Sequence, residues 1–530
     1  MHRRSSSTSR VRPLLVVAGA AALSFAFVGA PVVVAPVAAA PAPAHVVVLV
    51  VDGLNPPEVG ATTPNMAALA ESGTVYAESR SVLVAETIVN HVAMMTGGYP
   101  DRNGIPLNNF WDRSAASESV EASDPKFLTA ETLFTSIRRQ CPSLATAAVL
   151  SKTYLHGIFS GDADGDGKVD AGNLWEPSPI IPVSNHAPDV ATAQAAVDAL
   201  ADKPSLLFIN LGDVDRAGHI DATGATGVPV VRQAVTEDTD VQVGRIVQGL
   251  KDQGMWDSTV LVLLSDHGMD WGLPQDYVRL SSAFDADALL AGSYVIVQNG
   301  GSDSVYLKNQ SDPAAAQRLK KMREIALATE GVDGAWYRLP NALDGGDANT
   351  FEGAHPAWHL NLERTGDLIA FSKQGWRFSD PSDSSNPLPG NHGHFLTRHS
   401  FFAISGGAPI VKKQTVAASQ PSVVNPMDDT TKLPEQSETV DVAPTAAWLL
   451  GVSDPGTFAG KAAQYQGRVL TEAFSQRPAP ACVHAASLPS AVGAVSSRLP
   501  ATGGSAYAAL ALLALLGSAA IAGRRLTARV

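Results

Sequence analysis

Three apolar runs dominate the hydropathy pattern: HVVVLVV at 45–51, SLLFINL at 205–211 and TVLVLLS at 259–265. They are rich in Val, Leu and Ile and show no polar alternation. Runs of this kind predict strands buried on both faces of a parallel sheet. Helix-like segments fall between and after them, at 63–72, 130–139, 191–201, 235–254 and 313–330. This alternation predicts βαβ units. The expected fold is α/β, a doubly wound, mostly parallel sheet flanked by helices. No internal repeat is evident. Residues 414–437 are polar and turn-rich and are expected to form a long surface loop.

Polar residues follow each run. Asp52 follows the first, Asp215 and His219 the second, and Asp266 and His267 the third. Thr87, in ETIVNH, lies between the first two runs, and His392, in PGNHGH, closes the set. Open α/β sheets bind ligands at the carboxyl ends of their strands, so these side chains are expected to converge. Three Asp and three His beside a hydroxyl point to two divalent metals and an activated nucleophile. Asp215 and His219 are four apart, so one helical turn puts both on one face. Thr87 precedes the helix-like HVAMMTG, and a helix N-terminus favours a phosphate. The plain alternative is a capping residue. The Asn90 amide is a candidate donor to a phosphoryl oxygen. The remaining histidines, His91, His156, His186, His355, His359 and His399, read as packed or surface residues.

Charge sharpens this picture. The chain of 530 residues carries 38 basic and 51 acidic side chains. Arg3, Arg4, Arg10, Arg12, Arg524, Arg525 and Arg529 sit in the two ends, which hold no acids. Without those ends, 31 basic residues face 51 acidic ones, a net charge of -20. Such a surface argues against duplex nucleic acid or an anionic membrane as partner. Phosphorylated small molecules held by metals remain compatible with it.

The ends are legible too. A basic stretch precedes the apolar run 14–30 and an Ala/Pro/Val segment, so residues 1–44 read as a secretory signal peptide. An uncleaved anchor is the alternative. Only Cys141 and Cys482 are present, which allows one bridge tying the C-terminal tail to the domain, or two free thiols. After a domain at 45–474, residues 475–498 form an Ala/Ser/Pro-rich spacer. Residues 499–530 begin LPATG, continue with an apolar stretch and end in arginines. This order resembles the sortase sorting signal of Gram-positive surface proteins. The resemblance implies cleavage after Thr502, covalent attachment of Thr502 to peptidoglycan and a cell-wall location outside the membrane. A plain tail anchor is the alternative.

The body has its own resemblance. VDGL, TIVNH, DVDRAGH, SDHGM and NHGH occur in this order, with TGGYPDRNGI, RTGDLIAFSKQGW and DVAPTAAWLLGV. The series resembles the nucleotide pyrophosphatase/phosphodiesterase family of the alkaline phosphatase superfamily. That resemblance implies one zinc held by Asp215, His219 and His392. It implies a second zinc held by Asp52, Asp266, His267 and the Thr87 oxygen. It further implies attack by Thr87 on phosphorus, a phosphothreonine intermediate and its hydrolysis, with a small phosphodiester or nucleotide-like substrate. Val89 replaces the usual Pro, Asp213-Val214 the usual Glu-Pro, and Asn103 and His394 the usual His and Tyr. Asp213 thereby becomes a weaker rival ligand. Thr87 lies in no sulfatase-type motif. A phosphomonoesterase or phosphoryl-group transferase on the same fold is an alternative, as is a non-catalytic surface binding protein.

One further stretch stands apart. Asp162, Asp164, Asp166, Lys168, Asp170 and Asn173 occupy the ligand positions of a loop that resembles an EF-hand calcium loop. Asn173 replaces the usual bidentate Glu, so weakened binding of Ca2+ in an insertion is expected, or a solvated acidic turn.

Overall fold

The computed structural model describes residues 43–115, 119–160, 171–182, 184–360, 364–417, 436–453, 465–479 and 481–482. In chain order, β1 (His45–Val51), β2 (Thr74–Tyr76), β3 (Thr146–Leu150), β4 (Asn173–Trp175), β5 (Leu206–Leu211) and β6 (Thr259–Leu264) come first. Then follow β7 (Tyr294–Asn299), β8 (Ser302–Leu307), β9 (Val332–Tyr337) and β10 (Leu368–Ser372). β11 (Phe402–Ser405) and β12 (Gln414–Val416) complete the strands of the two larger sheets. The main sheet has the order β12-β2-β11-β6-β1-β5-β3-β4.

Strands β6, β1, β5, β3 and β4 are parallel neighbours, as the apolar runs of β1, β5 and β6 predicted, while β3 and β4 were not named from the sequence. β11 is antiparallel to both β6 and β2, which makes the sheet mixed. The period of two along β1 explains the layers. Val46, Val48 and Val50 enter one core, while Val47, Leu49 and Val51 enter the other. Helices α1 (Pro64–Ser72), α2 (Thr87–Thr96), α3 (Leu133–Gln140), α4 (Asp189–Ala199), α5 (Asp213–Ile220) and α6 (Val230–Asp252) connect these strands. Ile88 of α2 and Leu133 of α3 cover the even face of β1. Met66 of α1, Ala193 of α4 and Ile246 of α6 cover the odd face. All five helix-like segments named from the sequence overlap helices, the last being α7 (Ala315–Ala328).

A second, four-stranded antiparallel sheet, β7-β8-β10-β9, was not anticipated. Its strands mix apolar with polar residues, as in SDSVYL and VDGAWY, so no single apolar run announced them. Met322 and Ala326 of α7 pack on one face with Val305 and Leu368. The opposite face, with Val297, Ile369 and Phe371, joins the even-side core of the main sheet.

Two other expectations change. The surface loop expected at 414–437 begins as an edge strand, because Gln414–Val416 pairs in parallel with β2. Packing also continues beyond 474. Cys482 bonds to Cys141 at the end of α3, with Cα atoms 5.6 Å apart, so the bridge closes the domain as expected. Residues 161–170, which hold Asp162 to Asp170, lie outside the described residues, as do both apolar ends and Thr502. Asn173 is described. It opens β4, is exposed, and donates from Nδ2 to Asp202 Oδ2 at 3.2 Å. Among the described residues no helix is long and apolar enough to cross a membrane.

Candidate active site

The parallel register brings the strand ends level. Val51 pairs with Leu211, and Val50 with Leu264. Asp52 is the first residue beyond β1, Asp266 and His267 follow β6, and Asp215 sits in the first turn of α5 beyond β5. His219, one turn further along α5, shares its face. His392 arrives from elsewhere. It follows Gly390–Asn391, which pairs antiparallel with Asp270–Trp271 just past β6. Thr87 is the first residue of α2. All seven side chains meet above the sheet, and all except half-buried His219 are buried.

Two groups form around two carboxylate oxygens. Asp215 Oδ1 lies 3.4 Å from His219 Nε2 and 3.8 Å from His392 Nε2. Asp266 Oδ2 lies 3.4 Å from His267 Nε2, which is also 3.6 Å from Asp52 Oδ1. His267 is close enough to serve the first group as well, beside Asp215 and His392. Thr87 Oγ1 is 3.1 Å from His267 Nε2.

The donor set fits a metal pair. Asp215 Oδ1 and Asp266 Oδ2 are buried and have no hydrogen-bond partner. A buried oxygen left unpaired is costly unless a cation faces it. Each of the three histidines donates from Nδ1 to a backbone carbonyl: His219 to Gly390, His392 to Ala85 and His267 to Gly268, at 2.8, 3.0 and 2.9 Å. A carbonyl only accepts, so Nδ1 carries the proton and Nε2 turns a lone pair into the gap. That outer tethering is how metal-binding imidazoles are oriented. Mixed imidazole and carboxylate ligands suit zinc.

Electrostatics agree. Burial pushes the His219, His267 and His392 imidazoles below their usual range, so they stay neutral near pH 7. Burial and the Asp52 charge push the Asp266 carboxyl well up. Burial acts the same way on Asp52 and Asp215, but the Lys152 ammonium and the neighbouring imidazoles together outweigh it and hold both below the carboxylate range.

Lys152 was missed from the sequence. Its Nζ is fully buried and donates to Asp52 Oδ1 and Asp215 Oδ2, both at 2.7 Å, and to Thr87 Oγ1 at 3.2 Å. The signal was available, since Lys152 lies just past β3, whose run TAAVL ends level with Asn210 of β5. Asn210 was missed too. Its Nδ2 donates to Asp52 Oδ2 and to His91 Nε2, at 2.9 and 3.1 Å, which makes His91 a packed residue as expected.

Asn90 is not brought to the gap. Its Oδ1 accepts from Val82 N and Thr439 Oγ1, and its Nδ2 donates to the carbonyls of Val82, Val84 and Glu86. On α2 it faces inward and braces the turn that presents Thr87. Asn108 lines the pocket in its place, with Oδ1 accepting from Ile88 N at 2.8 Å and Nδ2 free of partners among the described residues. Asp213 is not a ligand either. It accepts from His186 Nε2 at 2.6 Å and from Asp189 N at the start of α4.

The pocket over the gap encloses about 320 Å³. Glu86, Tyr154, Arg216 and Asn299 are among its walls. Residues 46–395 match the family model described as type I phosphodiesterase / nucleotide pyrophosphatase. The chain belongs to this family. Within it, ectonucleotide pyrophosphatase/phosphodiesterase family member 3 of Mus musculus is 26% identical over 219 residues, 39% of this chain and 22% of that protein. Member 5 of Homo sapiens is 22% identical over 363 residues, 65% of each chain. The first of these alignments therefore spans about a fifth of its relative. The fold of murine member 5, solved as an inactive threonine-to-alanine variant in complex with AMP, superposes with a TM-score of 0.59 at 17% identity. That match covers 81% of this chain and 100% of the other. The family uses a two-metal site, and the two carboxylate–imidazole groups are the candidate ligands for one here.

Proposed function

We propose that the chain is a zinc-dependent phosphodiesterase or nucleotide pyrophosphatase that works through Thr87. The observation that carries this reading is the position of Thr87 Oγ1, 3.1 Å from Nε2 of His267, the imidazole within reach of both ligand groups. Asp215, His219 and His392 would hold one zinc; Asp52, Asp266, His267 and Thr87 Oγ1 the other. When bound, the two ions supply Lewis-acid charge that lowers the pKa of the Thr87 hydroxyl and offsets charge on phosphorus oxygens.

The protein's own groups do the rest. Thr87 Oγ1 loses its proton to solvent and bonds to phosphorus. The bond to the leaving oxygen breaks with its electron pair, and that oxygen takes a proton from water. In the second half, a water oxygen bonds to phosphorus as the Oγ1–P bond breaks, and Thr87 regains a proton. Asn108 Nδ2 is placed as a donor to a phosphoryl oxygen. A nucleotide-like substrate is supported by the AMP held in the murine relative and by the bovine relative named bis(5'-adenosyl)-triphosphatase.

The location belongs to the same proposal. Export and wall attachment through Thr502 are supported by the order of the two chain ends, and the Cys141–Cys482 bridge suits an oxidising compartment. Sortase and peptidoglycan are the partners this implies. A weak calcium site at Asp162–Asn173 completes it.

Thr87→Ala should abolish turnover of bis-(p-nitrophenyl) phosphate by the zinc-loaded protein. Turnover at the wild-type rate would eliminate the mechanism. Thr502→Ala should move the protein out of the wall fraction; unchanged wall content would eliminate the anchoring.

A further inference from the structure

Lys152 has no place in the ligand sets above, yet its charge is fully enclosed in the site. Its ammonium has three donors, and three acceptors surround it: Asp52 Oδ1, Asp215 Oδ2 and Thr87 Oγ1. The side chain reaches them from the end of β3, next to the strand that carries Asn210. Asp52 is also held from its far side, by Asn210 Nδ2 on Oδ2, whereas the other oxygen of Asp215 has no hydrogen-bond partner.

The division of oxygens is informative. On Asp215, Lys152 takes Oδ2 and leaves Oδ1 bare beside His219 and His392. On Asp52, Lys152 and the His267 group face the same oxygen, Oδ1. The ammonium is therefore compatible with a metal pair and partly competes with it. Its third donor points at the Thr87 oxygen, whose charge changes as the bond to phosphorus forms and breaks. A cation fixed 3.2 Å from that atom in a water-poor site stabilises negative charge there without reorganising.

Accepting Thr87 as the nucleophile, we propose that Lys152 is a catalytic residue that stabilises the Thr87 oxygen through its ammonium. It does so as the Oγ1–P bond forms and again as that bond breaks and Oγ1 becomes the leaving oxygen. Lys152 stays protonated throughout, so both half-reactions balance as written above. A positive group here also adds one fixed charge to those of the ions.

The experiment is Lys152→Met, with Lys152→Gln as a second variant that keeps a donor without the charge. Two quantities are read on the same protein: kcat for bis-(p-nitrophenyl) phosphate at saturating zinc, and zinc affinity by chelator competition. Removing one well-placed donor should lower kcat about 10²- to 10³-fold with KM little changed. Removing a competing cation from Asp52 and Asp215 should tighten zinc, by about tenfold. Catalysis and metal affinity thus move in opposite directions. A lysine that merely props the site would lose both together, and that result overturns the proposal. So does a kcat within about threefold of wild type. Thr87→Ala, run in parallel, separates the two levels. If it stays active, the hydrolase mechanism itself fails. If it is dead while Lys152→Met is unimpaired, only the role of Lys152 fails.

Discussion

The imidazole of His392 stacks on that of His267, with ring centroids 3.8 Å apart and planes within 22°. Two protonated rings would repel at this distance, and burial keeps both neutral. The stack joins the two ligand groups, one through Asp215 and the other through Asp52 and Asp266. It also ties together residues far apart in sequence.

His392→Ala should therefore damage the Asp215 group first. Zinc content, measured by elemental analysis after dialysis, should fall from two ions per chain toward one. Turnover should fall by at least about 10²-fold. Full zinc content with full activity would remove His392 from the ligand set.

The pocket wall predicts a pH dependence. Burial pushes the Glu86 carboxyl up from 4.5 to about 8, against a backbone donor from Asn108. With no ion nearby, the unfolded chain ionises Glu86 above pH 4.5 while the folded protein keeps it neutral to about 8. Stability linked to this group is thus complete below the lower value and is lost as pH rises through the window. Glu86→Gln should be more stable than wild type in chelator. Its advantage in urea unfolding should grow from pH 4.5 to about 8, reach a few kcal/mol, and stay flat above. A constant difference across that range would refute the assignment.

Gly53 links two ligands by its lack of a side chain. It has φ +74°, and a Cβ there would lie 3.1 Å from Asp215 Cα and Cβ. Its amide donates to Asp266 Oδ1 at 3.0 Å. Gly53→Ala should cost about 1–2 kcal/mol in backbone strain. It should also lower turnover at least about tenfold by displacing Asp215. Wild-type kcat in this variant would show that the contact is not required.

The disulfide closes a long loop, joining residues 341 apart in sequence. The double variant Cys141→Ser, Cys482→Ser should lose about 2–4 kcal/mol of stability. Its kcat should be unchanged, since neither cysteine touches a site residue. Equal melting temperatures for both proteins would show the bridge to be dispensable.

Much of this architecture was legible in the chain. Strands buried on both faces have only one composition open to them, so β1, β5 and β6 stood out as apolar runs. Asp52, Asp215, Asp266 and His267 stood out because polarity just past such a run marks a strand end. The alternation of runs and helices carried the parallel core of the sheet. The antiparallel strands β7 to β10 escaped because polar residues interrupt them: β8 opens with buried Ser302, Asp303 and Ser304, and β9 carries exposed Asp333. Their mixed pattern resembles ordinary loop sequence.

What the sequence determined by itself was the list of reactive groups and the strands that carry them. Tertiary structure decided which way each one points. Asn90 and Thr87 are three apart on α2, yet Thr87 meets the gap while Asn90 turns into the core. Lys152 looked like any lysine after a short strand until β3 docked beside β5 and buried its ammonium between Asp52 and Asp215. The physical reason is common to both cases. Composition and period state what a residue offers, but a buried charge is tolerated only where partners from other strands meet it. Those partners are chosen by the packing of the whole sheet.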